Sequence, residues 1–109
     1  MTIQLPNAIQ AYFEADRTGS PDAVAAAFTE NGIVKDKGKT HRGRDAIREW
    51  MVEAGQLYTY AVEPFSIGTE SGKIQVTAHV AGTFPGSPID LRFFFVLAGE
   101  KVAELEVTV

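Results

Sequence analysis

Three residues far apart in the chain have side chains suited to moving a proton: Tyr12, Asp36 and Asp90. Tyr12 lies in an N-terminal helical pattern. Asp36 ends the strand-like run Ile33-Val34-Lys35-Asp36, and Asp90 opens a later strand in Pro88-Ile89-Asp90-Leu91-Arg92-Phe93. Carried into one apolar pocket, a phenol and two carboxyls can act on a carbon beside a carbonyl. One carboxylate takes the proton, while the phenol and a protonated carboxyl hold the developing oxyanion. The second carboxyl keeps its proton only in a dry site, where burial disfavours the charged form. Phe13, Phe28, Trp50, Met51 and the run Phe93-Phe94-Phe95 are the candidate walls of such a pocket.

Each residue also has a plainer reading. Tyr12 fits an amphipathic core stripe, Asp36 a wet strand end, and Asp90 a turn carboxylate bonding nearby N–H groups. Strand alternation adds a condition. Residues two apart share a face, so Arg92 points the same way as Asp90. If they pair, Asp90 stays ionised and cannot donate a hydrogen bond.

The elements that must position these groups can be read from periodicity. Leu5, Ile9 and Phe13, with Ala8 and Tyr12, make an apolar stripe on a helix from about Leu5 to Arg17, with Pro6 in its first turn and Gly19 as its stop. Ser20-Pro21-Asp22 caps a short second helix with an apolar face of Ala23, Val24, Ala27 and Phe28. Asn31-Gly32 turns into the strand Ile33 to Asp36. Lys37 to Arg42 reads as a polar loop, and Gly43 precedes a third helix, Arg44 to Ala54, capped by Gly55. From Leu57 the pattern is β. Ser71-Gly72, Phe84 to Pro88 and Gly99-Glu100 mark turns between strands, Leu91 to Leu97 is apolar on both faces, and a bulge is expected near Ala103-Glu104. Helices first and strands afterwards predict an α+β fold. One face of the sheet covers the helices. The other, with candidates Val62, Phe65, Val76 and Val96, needs a cover of its own.

Length and composition bound the function. A chain of 109 residues makes one domain, 1–109. A net charge of −4 argues against nucleic acid, because the basic stretch Lys35 to Arg44 is followed at once by Asp45 and Glu49. The absence of cysteine excludes disulfides and thiolate chemistry. His41 and His79 alone make no metal site; both are expected at the surface, His79 facing solvent or a subunit interface. No run approaches the length of a membrane helix and no signal peptide is visible, so a cytoplasmic location is the default expectation.

The element order, the link Asp16-Arg17-Thr18-Gly19-Ser20-Pro21-Asp22-Ala23 and the run Arg42-Gly43-Arg44-Asp45-Ala46-Ile47 resemble the nuclear-transport-factor-2-like (SnoaL-like) superfamily across nearly the whole chain. That resemblance implies a cone: three helices wrapped by a curved antiparallel or mixed sheet of five to six strands, cystatin-like in outline. It also implies a twofold homodimer through the sheet and no cofactor or metal. Tyr12 and Asp36 are 24 positions apart, and that spacing, with Pro88-Ile89-Asp90, resembles the ketosteroid isomerase branch. In the ketosteroid isomerases an apolar site raises the pKa of the donor acid, so that it keeps its proton and can donate a hydrogen bond. By this resemblance Asp36 is the base, Tyr12 and Asp90 are the oxyanion donors, and the ligand is a small apolar molecule. The implied activity is isomerase-like or polyketide-cyclase-like. Lys37 stands where the isomerases typically carry proline, which makes the base loop more solvated. Two alternatives stay open: a non-catalytic ligand-binding dimer, and an Asp-Arg-Asp site using Arg92 that resembles the limonene-epoxide hydrolases.

Overall fold

The computed structural model describes residues 3–109, apart from the side chain of Leu57. Helix α1 (Asn7–Thr18) buries the stripe Ala8, Ile9, Tyr12, Phe13 and Ala15. It begins two residues later than the periodicity predicts, because Pro6 takes the cap position. It ends at Gly19, whose φ of 71° is the left-handed stop that glycine adopts without strain. In helix α2 (Pro21–Ala26) the Ser20 hydroxyl accepts from the Ala23 N–H at 3.2 Å. Helix α3 (Arg44–Leu57) runs through Gly55, the predicted cap, and ends where Tyr58 turns extended.

Six strands follow the order β2-β1-β6-β5-β4-β3. They are β1 (Phe28–Asp36), β2 (Lys39–Arg42), β3 (Tyr60–Glu70), β4 (Lys73–Gly82), β5 (Ile89–Ala98) and β6 (Lys101–Thr108). The β1–β6 pairing is parallel and the others are antiparallel, so the sheet is mixed. The α+β expectation holds, with three helices and six strands among the described residues. Two local readings change. Strand β1 starts at Phe28 and absorbs Asn31-Gly32 as an irregularity between Phe28 and Ile33. The predicted loop Lys37 to Arg42 is the tip and second strand of a hairpin, with Lys37 (φ 53°) and Gly38 (φ 75°) as its two-residue turn. Its strand, Lys39-Thr40-His41-Arg42, is an edge and wholly polar, so no hydrophobic alternation announces it. The predicted bulge is present: pairing passes from Val96↔Glu104 to Leu97↔Val102, which leaves Ala103 unmatched.

Side-chain parity then decides what can meet the helices. Phe93 and Phe95 on β5, Val76 and Ala78 on β4, and Leu105 on β6 are buried against them. Val62 and Val76, two of the candidates for the outer face, lie on this inner one. Val76 is opposite Phe93 and Val62 opposite the buried Val80, and directly paired residues share a face. Phe65 and Val96 remain outside, with Phe65 exposed at the β3 irregularity. At the far end β4 passes so close to β3 that only glycine fits. A Cβ on Gly82 would run into the Thr59 carbonyl and the Tyr60 backbone.

Aromatic rings fill the centre of the cone. The Tyr12 ring meets Phe13, Phe28 and Phe95 edge-on, with centroids 5.1, 5.9 and 5.7 Å away. Phe93 and Phe95 stack on each other at 6.4 Å. Edge-on rings align the positive rim of one with the negative face of another, adding to the apolar burial.

Candidate functional site at the cone mouth

On α1, Asp16 follows Tyr12 by one turn, so both point from the same helix face toward the sheet. Opposite them stand Tyr60, the first residue of β3, and Asp36, the last residue of β1. Helix α3 contributes Trp50 and Met51. The Tyr60 hydroxyl donates to Asp16 Oδ1 at 3.2 Å and lies 3.7 Å from Met51 Sδ. The Trp50 indole N–H donates to Asp36 Oδ2 at 3.0 Å. That bond fixes the carboxylate and leaves Oδ1 as the atom able to take a proton. The His41 ring, on β2, lies beside Trp50 with centroids 6.1 Å apart.

The electrostatics tie these groups together. Burial raises the Tyr12 phenol well above its ordinary pKa, and the charges of Asp16, Tyr60 and Asp36 push it further in the same direction. Burial likewise raises Tyr60, helped by the charge and hydrogen bond of Asp16 and by the charge of Asp36. Both phenols therefore keep their protons and serve as donors. The Asp16 carboxyl is raised because burial disfavours its charge, while the Tyr60 hydrogen bond opposes the shift. Among the described residues no group pairs with the Tyr12 hydroxyl, yet it is not a sealed, unsatisfied atom. The residue is only 2% exposed, so this donor lies at the edge of the packed rings with no protein partner.

Of the residues singled out from sequence, Tyr12 and Asp36 reach this mouth, with Trp50 and Met51 beside them and Phe13 and Phe28 in the packed ring cluster below. Asp90 does not join them. Leu91, Phe93 and Phe95 fix the inward parity of β5, so Asp90, Arg92 and Phe94 point outward. The Asp90 side chain is 57% exposed and its Oδ1 lies 2.9 Å from His79 Nδ1. The condition raised by Arg92 also resolves. Its guanidinium donates to the Val109 carbonyl at 3.0 Å and lies over the Phe94 ring, away from both mouth carboxyls. Phe94 is thus a platform for Arg92 and not a pocket wall. His79 is exposed as predicted, whereas His41 is half-buried against Trp50. Asp16 and Tyr60 were not among the predicted site residues, although both carried a signal. Position 16 continues the stripe of Ile9, Tyr12 and Phe13, and Tyr60 shares strand parity with Val62.

The SnoaL-like domain model matches residues 9–105. Among solved structures, a candidate polyketide cyclase from Sinorhizobium meliloti, protein SMa1630, is 36% identical over 95% of both chains, with a TM-score of 0.89. SalBIII, an epoxide hydrolase/cyclase-like enzyme in pyran ring formation in the polyether salinomycin, is 25% identical over 92% of this chain and 85% of its own, with a TM-score of 0.76. A protein with a ketosteroid isomerase-like fold from Catenulispora acidiphila, in complex with trimethylamine, is 18% identical over 97% of this chain and 87% of its own (TM-score 0.85), a likeness of fold alone. No curated protein sequence matches the chain significantly.

Proposed function

Because the chain belongs to the SnoaL-like domain family, we propose that it is a small-molecule acid–base enzyme working at the cone mouth. Asp36 Oδ1 takes a proton from a carbon beside a carbonyl. The Tyr12 hydroxyl donates to the resulting enolate oxygen. Asp16, whose pKa burial raises and whose carboxyl Tyr60 orients, is the second donor in its protonated form, the role that the sequence pattern suggested for Asp90. The enolate then collapses by taking the proton back from Asp36 at another carbon, or by attacking a second carbonyl whose new alkoxide takes that proton, so isomerisation and ring closure share one set of groups. The observation that carries this reading is the convergence of Tyr12, Asp16, Asp36 and Tyr60, each phenol responding to both carboxyls. The polyketide-cyclase and cyclase-like descriptions of two related proteins support the same class of chemistry. The homodimer belongs to the same proposal, with the outer sheet face that carries Phe94 and Val96 as the paired surface.

The experiment is turnover of a β,γ-unsaturated ketone, read as the ultraviolet absorbance of the conjugated product. Asp36→Asn is expected to cost roughly 10²- to 10⁴-fold, the usual contribution of a positioned base. Turnover unchanged by that substitution overturns the assignment. The dense ring packing around Tyr12 favours one other reading, a binding module without chemistry. That module would bind phenols yet leave the ketone untouched.

A further inference from the structure

The hairpin that carries Asp36 also concentrates the unpaired lysines and arginines of the described residues. Every other described lysine and arginine has a partner. Lys35 and Lys73 pair with Glu104, Arg17 with Glu14, and Arg48 with Asp22 and Asp45. Arg44, Arg92 and Lys101 donate to backbone carbonyls. Among the described residues, the cations with no such partner are Lys37, Lys39 and Arg42, and all three stand on the β1–β2 hairpin. This is notable in a chain of net charge −4, where acidic partners are plentiful.

Register sorts these three. Asp36 is paired directly with Lys39, and Val34 with His41. Directly opposite residues share a face. Lys39 therefore rises from the same side as Asp36, and His41 from the side of the buried Val34, where its ring meets Trp50. Arg42 is paired with Ile33, whose parity is outward. Lys37 occupies the turn between the strands. The rim of the mouth thus carries two exposed ammonium groups beside the proposed base, while the floor is aromatic and holds the unpaired Tyr12 donor.

From this arrangement we propose that the molecule taken at the mouth is a small organic anion. Its carboxylate or phosphate end rests on Lys39 and Lys37, and its apolar body reaches toward Tyr12. The inference rests on the mouth being the binding site. The net negative charge of the chain does not oppose it. Charges more than about 8–10 Å away are largely screened at physiological salt, so the nearest cations decide.

Three fluorescent probes separate this inference from the reading beneath it: 2-naphthol, 6-hydroxy-2-naphthoate and the monophosphate of naphthalene-2,6-diol. At low salt at least one anionic probe is expected to bind roughly three- to tenfold more tightly than 2-naphthol, as one or two exposed ion pairs provide. Which one does so tells carboxylate from phosphate. The advantage should shrink at 0.5 M NaCl and vanish in a Lys37→Ala/Lys39→Ala double variant whose 2-naphthol affinity is unchanged. Both substitutions are at exposed positions of the hairpin, and circular dichroism confirms folding. If 2-naphthol binds but neither anion gains, or the gain survives the double variant, the anionic ligand is wrong and the acid–base site stands. If none of the three binds, the mouth is not a site and both fall.

Discussion

Replacing Tyr12 by phenylalanine removes one oxygen atom, and its consequences for stability and binding should diverge. The ring itself holds the core together. It meets Phe13, Phe28 and Phe95 edge-on within 6 Å and Phe93 at 6.5 Å. Tyr12→Phe keeps all four contacts and deletes a hydroxyl that no described residue pairs with. Stability should therefore stay within about 1 kcal/mol of the parent, the scale of one ordinary hydrogen bond. For a domain near this size that is a Tm change of no more than about 4–8 °C. Tyr12→Ala, by contrast, empties the centre of the cluster and should cost about 3–5 kcal/mol, as large aromatic truncations do. For binding the order reverses in importance. An ordinary hydrogen bond is worth about 0.5–1.5 kcal/mol net. Neutral 2-naphthol accepting from the Tyr12 hydroxyl should thus bind roughly 2- to 13-fold more weakly to the phenylalanine variant. Thermal denaturation followed by circular dichroism reads the first effect, and fluorescence titration with 2-naphthol reads the second. A Tyr12→Phe protein that melts far below the parent would mean that the hydroxyl is a structural bond. Unchanged naphthol affinity would mean that it faces no ligand. Either result refutes the argument that this is an open donor.

Two further substitutions test the carboxyls. The Asp16 pKa is raised in the folded state, so between its unfolded and folded pKa values the native protein binds more protons than the unfolded one. Its contribution is fully present below the unfolded pKa and is lost as pH rises through the folded value. Asp16→Asn still accepts from Tyr60 but never charges. Urea denaturation should show it as stable as the parent or more so at pH 7, with a shallower dependence in the acid range. Turnover of the ketone should fall sharply, so lost activity with undiminished stability is the expected signature, as at other strained sites. Asp90→Asn should change turnover little and stability by less than about 1 kcal/mol, the scale of an exposed ion pair, because Asp90 only meets an exposed His79. Turnover abolished by Asp90→Asn would return that carboxyl to the mechanism.

How much of this was legible in the sequence follows from which signals are local. The Gly19 stop, the Ser20-Pro21 cap, the Ser71-Gly72 turn and the Ala103 bulge were readable because each depends on a few neighbouring residues. Tyr12 and Asp36 both face the mouth, and each sits within a pattern of known facing: a helix stripe in one case, a strand after the buried Val34 in the other. Asp90 was misplaced because a strand apolar on both faces gives no parity. Leu91, Phe93 and Phe95 could as well have pointed out, with Asp90, Arg92 and Phe94 inside. The rings that α1 carries settle the choice. Phe13 and Tyr12 need aromatic partners across the core, and in the register that β5 adopts Phe93 and Phe95 provide them. Shifting β5 by one residue would bury Arg92 and Asp90 among those rings, and burying such charges is costly even when they pair. The packing that excludes Asp90 leaves the second carboxyl to come from the helix. Asp16, four residues after Tyr12, is the acidic residue that α1 directs at the same opening. The apolar core thus selects which carboxyls meet at the mouth, and the proposed chemistry uses the pair that remains.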